Sequence, residues 1–269
     1  MMIDFHTHIF PDAIAPRTIP FLEKRSGITA ATDGTFNGLL HSMEQSDMDL
    51  SVIMPVVTKP SQFDSVNAFA KKVNEAFPDK LISFGGIHPD CEDYKEKLRT
   101  IKALGLPGIK IHPDYQEVFI DDIRFMRIID YANELGLAIL THAGIDIGLP
   151  SPVHCPPDRL RTVIDKIHPE RMIAAHLGGW KQWEMVSDYL AGENVYFDTA
   201  CCFDYISKEM FFKLWQKHDH EKFLFATDSP WGNGKQCARQ IRELGLTEEE
   251  LENLFANNAK KLLNDRNCI

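Results

Sequence analysis

The feature that most constrains this chain is its punctuation. Apolar, β-branched runs of five to eight residues alternate with longer stretches of helical periodicity, and the alternation repeats eight times. Side chains alternate across a strand and recur about every 3.6 residues along a helix, so this is the βαβα pattern of a parallel sheet. Strands are predicted over residues 2–9, 50–57, 81–88, 108–112, 137–142, 171–177, 194–199 and 222–228. Helices are predicted over 36–47, 64–77, 92–104, 123–135, a segment ending near 167, 180–190, 207–217 and 236–244. Residues 10–35 read as a long segment broken by prolines. A last helix over 247–263 opens on Thr247-Glu248-Glu249-Glu250, a capping-box pattern with Thr247 as N-cap. Eight strand–helix units with no second compositional zone predict the α/β class and one (β/α)8 TIM barrel, a single domain over residues 1–269 with an extra C-terminal helix. An open doubly wound sheet loses weight because no Gly-x-Gly-x-x-Gly follows the first strand.

Composition excludes several function classes. Net charge is −10, from 29 basic and 39 acidic residues, and there is no Lys/Arg tract. That balance argues against nucleic acid or an anionic membrane as partner. No apolar run approaches the length of about 18 residues that a membrane span needs. The N-terminus enters a strand directly, without a leader pattern, which leads to the expectation of a cytoplasmic protein. The cysteines Cys91, Cys155, Cys201, Cys202, Cys237 and Cys268 form no Cys-x-x-Cys pair and read as reduced small hydrophobes.

In such barrels function sits where strands end and loops begin. The first strand, Met2 to Ile9, carries His6 and His8, which strict alternation puts on one side with Phe5, Thr7 and Ile9 on the other. Alone, His-x-His is a weak signal. The other predicted ends carry His88, Lys110, His112, His142, His176 and Asp228, so more than half of the chain's 11 histidines fall at one rim. Buried polar groups are costly unless satisfied, and a metal explains this clustering better than separate accidents do.

The motifs Asp4-Phe5-His6-Thr7-His8, Gly108-Ile109-Lys110-Ile111-His112-Pro113, Thr141-His142-Ala143-Gly144, Ala175-His176-Leu177-Gly178-Gly179 and Ala226-Thr227-Asp228-Ser229-Pro230 resemble those of the amidohydrolase superfamily. The resemblance is nearest to its amidohydrolase-2 branch of metal-dependent TIM-barrel hydrolases and decarboxylases, and Asn257 to Leu263 is similar to the family's closing helix. It implies that His6, His8, His142 and Asp228 ligate one divalent ion, most readily zinc. It further implies that Asp228 accepts the proton of the attacking water and that His176 orients that water or polarises the substrate oxygen. Lys110 matches the position where two-metal members carry a carboxylated lysine. If carboxylated it would join His142 and His176 in a second site, with His112 facing the same side; unmodified, it is a cation beside the substrate. One ion is the expectation. The implied activity is hydrolysis of a small-molecule amide, ester or lactone by metal-activated water. Non-oxidative decarboxylation of an unsaturated or aromatic acid is the alternative. Barrels of this family often pair, so a homodimer is possible.

Loops should define the substrate. Arg17 is a candidate to pair a substrate carboxylate, Trp231 a candidate pocket wall, and His154 a candidate cap beside Pro156-Pro157. Phe10, Phe21, Tyr115 and Gln116 lie within plausible reach. Arg25, Asp146 and Cys155 read as solvated or locally packed loop residues.

Overall fold

The predicted alternation is present, and it closes into a barrel. A computed structural model describes residues 1–264; Cys268 lies outside the described residues. In chain order the elements are β1 (Ile3–Thr7), α1 (Ala15–Ser26), α2 (Phe36–Gln45), β2 (Leu50–Ile53), α3 (Phe63–Ala76), β3 (Leu81–Ser83), β4 (Gly85–Gly86) and α4 (Tyr94–Ala103). There follow β5 (Gly108–Ile111), α5 (Ile123–Glu134), β6 (Ala138–Thr141), α6 (Pro157–Ile167), β7 (Met172–Ala174), α7 (Trp183–Tyr189), β8 (Tyr196–Asp198), α8 (Lys208–Lys217), β9 (Phe223–Leu224) and α9 (Gly234–Arg242). The chain then runs through α10 (Glu248–Glu252) and a π turn (Asn253–Asn257) into α11 (Asn258–Asn264). Polar N-caps start several of these helices: Thr35, Asp122, Ser207 and Asn233 each accept a first-turn backbone N–H.

All strand pairs are parallel, in the order β1-β2-β3 and β4-β5-β6-β7-β8-β9. β3 and β4 are two pieces of one barrel strand interrupted at Phe84, whose N–H donates to Ile53 O at 2.9 Å. The ring closes between β1 and the extended chain after β9. Phe5 N–H donates to Phe225 O and Asp228 N–H to His6 O, each at 2.8 Å. Regular strands are shorter than the apolar runs because the backbone turns out of the barrel wall at the rim. His176, Leu177 and Asp228 take left-handed φ values of 60°, 54° and 63°. Such conformations cost of order 1 kcal/mol or more and cluster at functional sites.

The barrel interior is filled by Ile3, Phe5, Val52, Met54, Phe84, Leu140, Ile173 and Leu224, and its lower end is stopped by Ala256, Ala259, Leu262 and Leu263 from the C-terminal segment. That segment was expected as one helix. Its turn widens at 253–257, which leaves Leu254 O free of the helical ladder to accept Phe225 N–H at 3.0 Å. Asn258 reinforces the seam by donating to His220 O and Phe223 O.

Two expectations are corrected. Residues 10–35 are not loop throughout, since α1 lies within them. Pro16 falls in its first turn, where the missing N–H has no helical acceptor to lose. Strict alternation also fails in β1. Asp4 pairs with Ser51 but Thr7 with Ile53, so β1 holds one extra residue over that interval. Phe5 therefore lies in the interior cluster and His6 follows it inward, as a bulge re-aims a side chain.

Candidate metal centre

At the open end of the barrel, His6, His8 and Asp228 converge. His6 Nε2 lies 3.2 Å from His8 Nε2 and 3.5 Å from Asp228 Oδ1, and His8 Nε2 lies 3.1 Å from the same oxygen. The tautomers follow from the outer partners. His6 Nδ1 lies 2.8 Å from Asp198 Oδ2, and His8 Nδ1 2.7 Å from Met54 O, and these oxygens accept. Each Nδ1 therefore carries the proton, as in ligating histidines held by an outer acceptor. In the neutral rings, two nitrogen lone pairs and a carboxylate oxygen then face one another with no proton between them. That arrangement is repulsive unless a cation takes the centre. The Lys110 ammonium, 3.2 Å from His6 Nε2, donates into it in part.

Electrostatics agree. Burial, helped by Lys110, holds His6 well below the ordinary imidazole value. Burial raises the Asp228 carboxyl, but His6, His8 and His176 more than reverse this and hold it well below the usual carboxylate range. Burial pulls Lys110 down to about 8, against Asp198 and Asp228. Asp198, raised by its own burial, also accepts the backbone N–H of His176 and Ala200 through Oδ1. Asp4, raised by burial to about 7, ties β1 to the end of β9 by accepting from Thr227 N–H and Oγ1–H.

His142 stands a step away from the trio. Its Nδ1 is 3.1 Å from His176 Nε2, whose Nδ1 is fixed on Ala200 O, and its own Nε2 is buried without a hydrogen-bond partner among the described residues. An orphaned, buried imidazole nitrogen is a free ligand atom, but it falls outside the trio of His6, His8 and Asp228 whose ligand atoms are close enough to share an ion. His112 stacks flat on His142, with centroids 4.3 Å apart. His112, His142 and Asp146 are themselves close enough to share an ion. However, His112 Nδ1 accepts Tyr115 N–H, which puts the ring proton on Nε2, facing Asp146 Oδ2 at 3.4 Å. His112 is thus set as a donor rather than a ligand.

These groups form the floor of a cavity of 660 Å³, whose walls include Phe10, Phe21, Arg25, Tyr115, Asp146 and Trp231. Arg17 is exposed and outside these walls, and His154 is turned onto Asp114, its Nδ1 3.1 Å from Oδ1. Arg25 takes the rim position instead: its Nε donates to Gly148 O and its guanidinium lies 5.8 Å from the Tyr115 ring centroid. Gln116 is used structurally, accepting His112 N–H and donating to Val57 O and Ile87 O. His88 lies outside the cavity walls, beside Asp90, and Cys155 is buried in the core. Asp198 escaped the sequence reading; its only signal was an acidic residue at a predicted strand end, as at Asp228.

A family model described as amidohydrolase matches residues 3–264. The chain belongs to the amidohydrolase family. Membership makes it an enzyme of a group of metal-dependent hydrolases and carboxy-lyases, and its His/Asp trio is a group able to hold the divalent ion such members use. No curated protein sequence matches it significantly. Among solved structures it is similar to an uncharacterized TIM-barrel protein from Bordetella bronchiseptica, at 17% identity over 98% of both chains with a TM-score of 0.80. It is also similar to 5-carboxyvanillate decarboxylase from Novosphingobium aromaticivorans, at 15% identity over 98% and 96% of the chains with a TM-score of 0.74. A third likeness is to 2,6-dihydroxybenzoate decarboxylase from Rhizobium, at 12% identity over 98% of both with a TM-score of 0.71. At these identities the likeness of this amidohydrolase to them is one of fold.

Proposed function

We propose that the chain is a hydrolase in which one divalent ion is held by His6, His8, His142 and Asp228, and in which water attacks the carbonyl of a small-molecule amide, ester or lactone. The observation that carries this is the convergence of the His6 and His8 lone pairs and the Asp228 carboxylate, with only Lys110 donating into the group, through His6 Nε2. Three neutral imidazoles and one carboxylate suit zinc, and the same N/O set admits manganese, iron, cobalt or nickel. When bound, the ion polarises a substrate oxygen and makes water acidic enough to attack near neutral pH.

The chain's own groups supply the rest. Asp228, held ionised, takes the proton of the attacking water and delivers it to the leaving nitrogen or oxygen as the acyl bond breaks. His176, with Nδ1 fixed on Ala200 O and Nε2 taking His142 Nδ1–H, aims His142 and lines the place of the attacking water. Lys110, unmodified and buried, stabilises negative charge on the substrate.

Decarboxylation is a second reading, favoured by the largely apolar walls above the floor and by the two decarboxylase folds named above, one of which binds manganese with a nitrobenzoic acid. Product chemistry separates the two. Hydrolysis places solvent oxygen-18 in the acid product, whereas CO2 release without label uptake would sink the hydrolase reading.

A further inference from the structure

The cavity is larger than the metal-centred chemistry alone needs, and its surplus has one character. At 660 Å³ it lies in the range of sites that enclose a whole drug-sized ligand. Its titratable groups are gathered on the floor and beside Tyr115 and Asp146, apart from Arg25 at the mouth. From α1, α3 and the residues just before α1, Ile14, Phe21, Leu22, Val66 and Phe69 join the lining, with Thr18 and Ser65 as its small polar members there.

Neither helix presents these residues by default. On α3, Ala70 and Val73 are buried, whereas Val66 and Phe69 remain half-buried and turn to the cavity. On α1 only Ala15 and Ile19 are buried, while positions 14, 18, 21, 22 and 25 share a second face, about a helical period apart, along the opening. The charged residue on that face, Arg25, turns away across the mouth to Gly148 O. Phe21 is 60% exposed and Ile147, across the opening, 43% exposed. Two large apolar side chains left to water on one cavity rim are what a site shows when its ligand supplies the missing apolar contact.

We propose that the slot between α1 and α3 binds a hydrocarbon chain on the acyl side of the substrate, so that the enzyme prefers medium- to long-chain acyl compounds over short ones. This rests on the metal-centred hydrolase reading. The head carbonyl sits on the floor, and the chain runs out between Leu22 and Phe69 towards Phe21 and Ile147.

The test uses the metal-loaded full chain and a series of alkyl hydroxamates, which seek a metal through their head group, measured by calorimetry. Each buried methylene is worth about fourfold in affinity. Decanohydroxamate is therefore expected to bind at least about 100-fold more tightly than acetohydroxamate, and F21S/I147S to lose about tenfold of that ratio. Both substituted residues are exposed, so the fold tolerates the change. A flat series with metal-dependent acetohydroxamate binding intact would overturn the slot and spare the metal centre. If no member binds in a metal-dependent way, the metal-centred reading falls and this one with it. A steep series alongside CO2 release without solvent oxygen uptake overturns the acyl preference together with hydrolysis.

Discussion

Asp198 touches no proposed substrate atom, yet it fixes the proton of His6 on Nδ1 and holds the backbone of His176. Asp198→Asn keeps the shape and removes the charge. The expected result is metal affinity weaker by about 10- to 100-fold, read by competition with a chelator. The proposed ligands could be named from the sequence, because histidines and a carboxylate at strand ends announce their chemistry by type. Asp198 could not, since its role exists only once β8 lies against β1. Arg25 and Arg17 show the same limit: both lie on α1, and only the fold shows that Arg25 lines the cavity while Arg17 faces solvent. Away from the site, His218 is buried, stacked on Phe197, and receives Gly192 N–H. Burial pushes its pKa down from 6.5 to about 4. As pH falls the unfolded chain takes up the proton first, so this stability is complete above about 6.5 and drains away towards pH 4. The loss is about 3 kcal/mol. Urea melts across that window should show it, and His218→Phe should flatten the slope.

At the scale of elements, the strand–helix alternation was readable because periodicity survives in sequence. The exceptions have local causes. Pro16 and Pro20 hid α1: the first falls in the first turn, where proline costs a helix nothing, and the second is carried inside the helix. The extra residue in β1 was invisible because a bulge is defined by the partner strand's register. The C-terminal helix was predicted by its capping box, which is present between Thr247 and Glu250. Its purpose as a stopper for the barrel was not. Leu262, 1% exposed within the interior cluster, carries much of that packing. Leu262→Ala should cost about 2–5 kcal/mol in urea unfolding while metal content per folded molecule stays unchanged, since the cavity it opens lies at the far end from His6.

For the whole molecule, fold and family were readable from one chain, because the strand ends that carry histidine, lysine and aspartate are spaced along its full length. The expected absence of a membrane span has a limited counterpart: among the described residues no helix is long and apolar enough to cross one. The metal should also be a global stabiliser, since three like-natured acceptors are pressed together without it. A ligand at 1,000 times its Kd adds about 4 kcal/mol. Chelation should thus lower the Tm by roughly 10 °C, reversibly on adding the ion back, as calorimetry would show.

The seam between β1 and the chain after β9 bears on how the protein is made. His8 and Asp228 meet across 220 residues, and β1 gains its second neighbour only through residues 225–229. During synthesis β1 must therefore keep one edge unpaired until the chain after β9 has emerged. Such long-range closure is slow and leaves an open strand edge exposed to other chains. The trio of His6, His8 and Asp228, split between β1 and the chain after β9, comes together only at that closing step. A nascent or truncated chain lacking the last stretch would have no site to load.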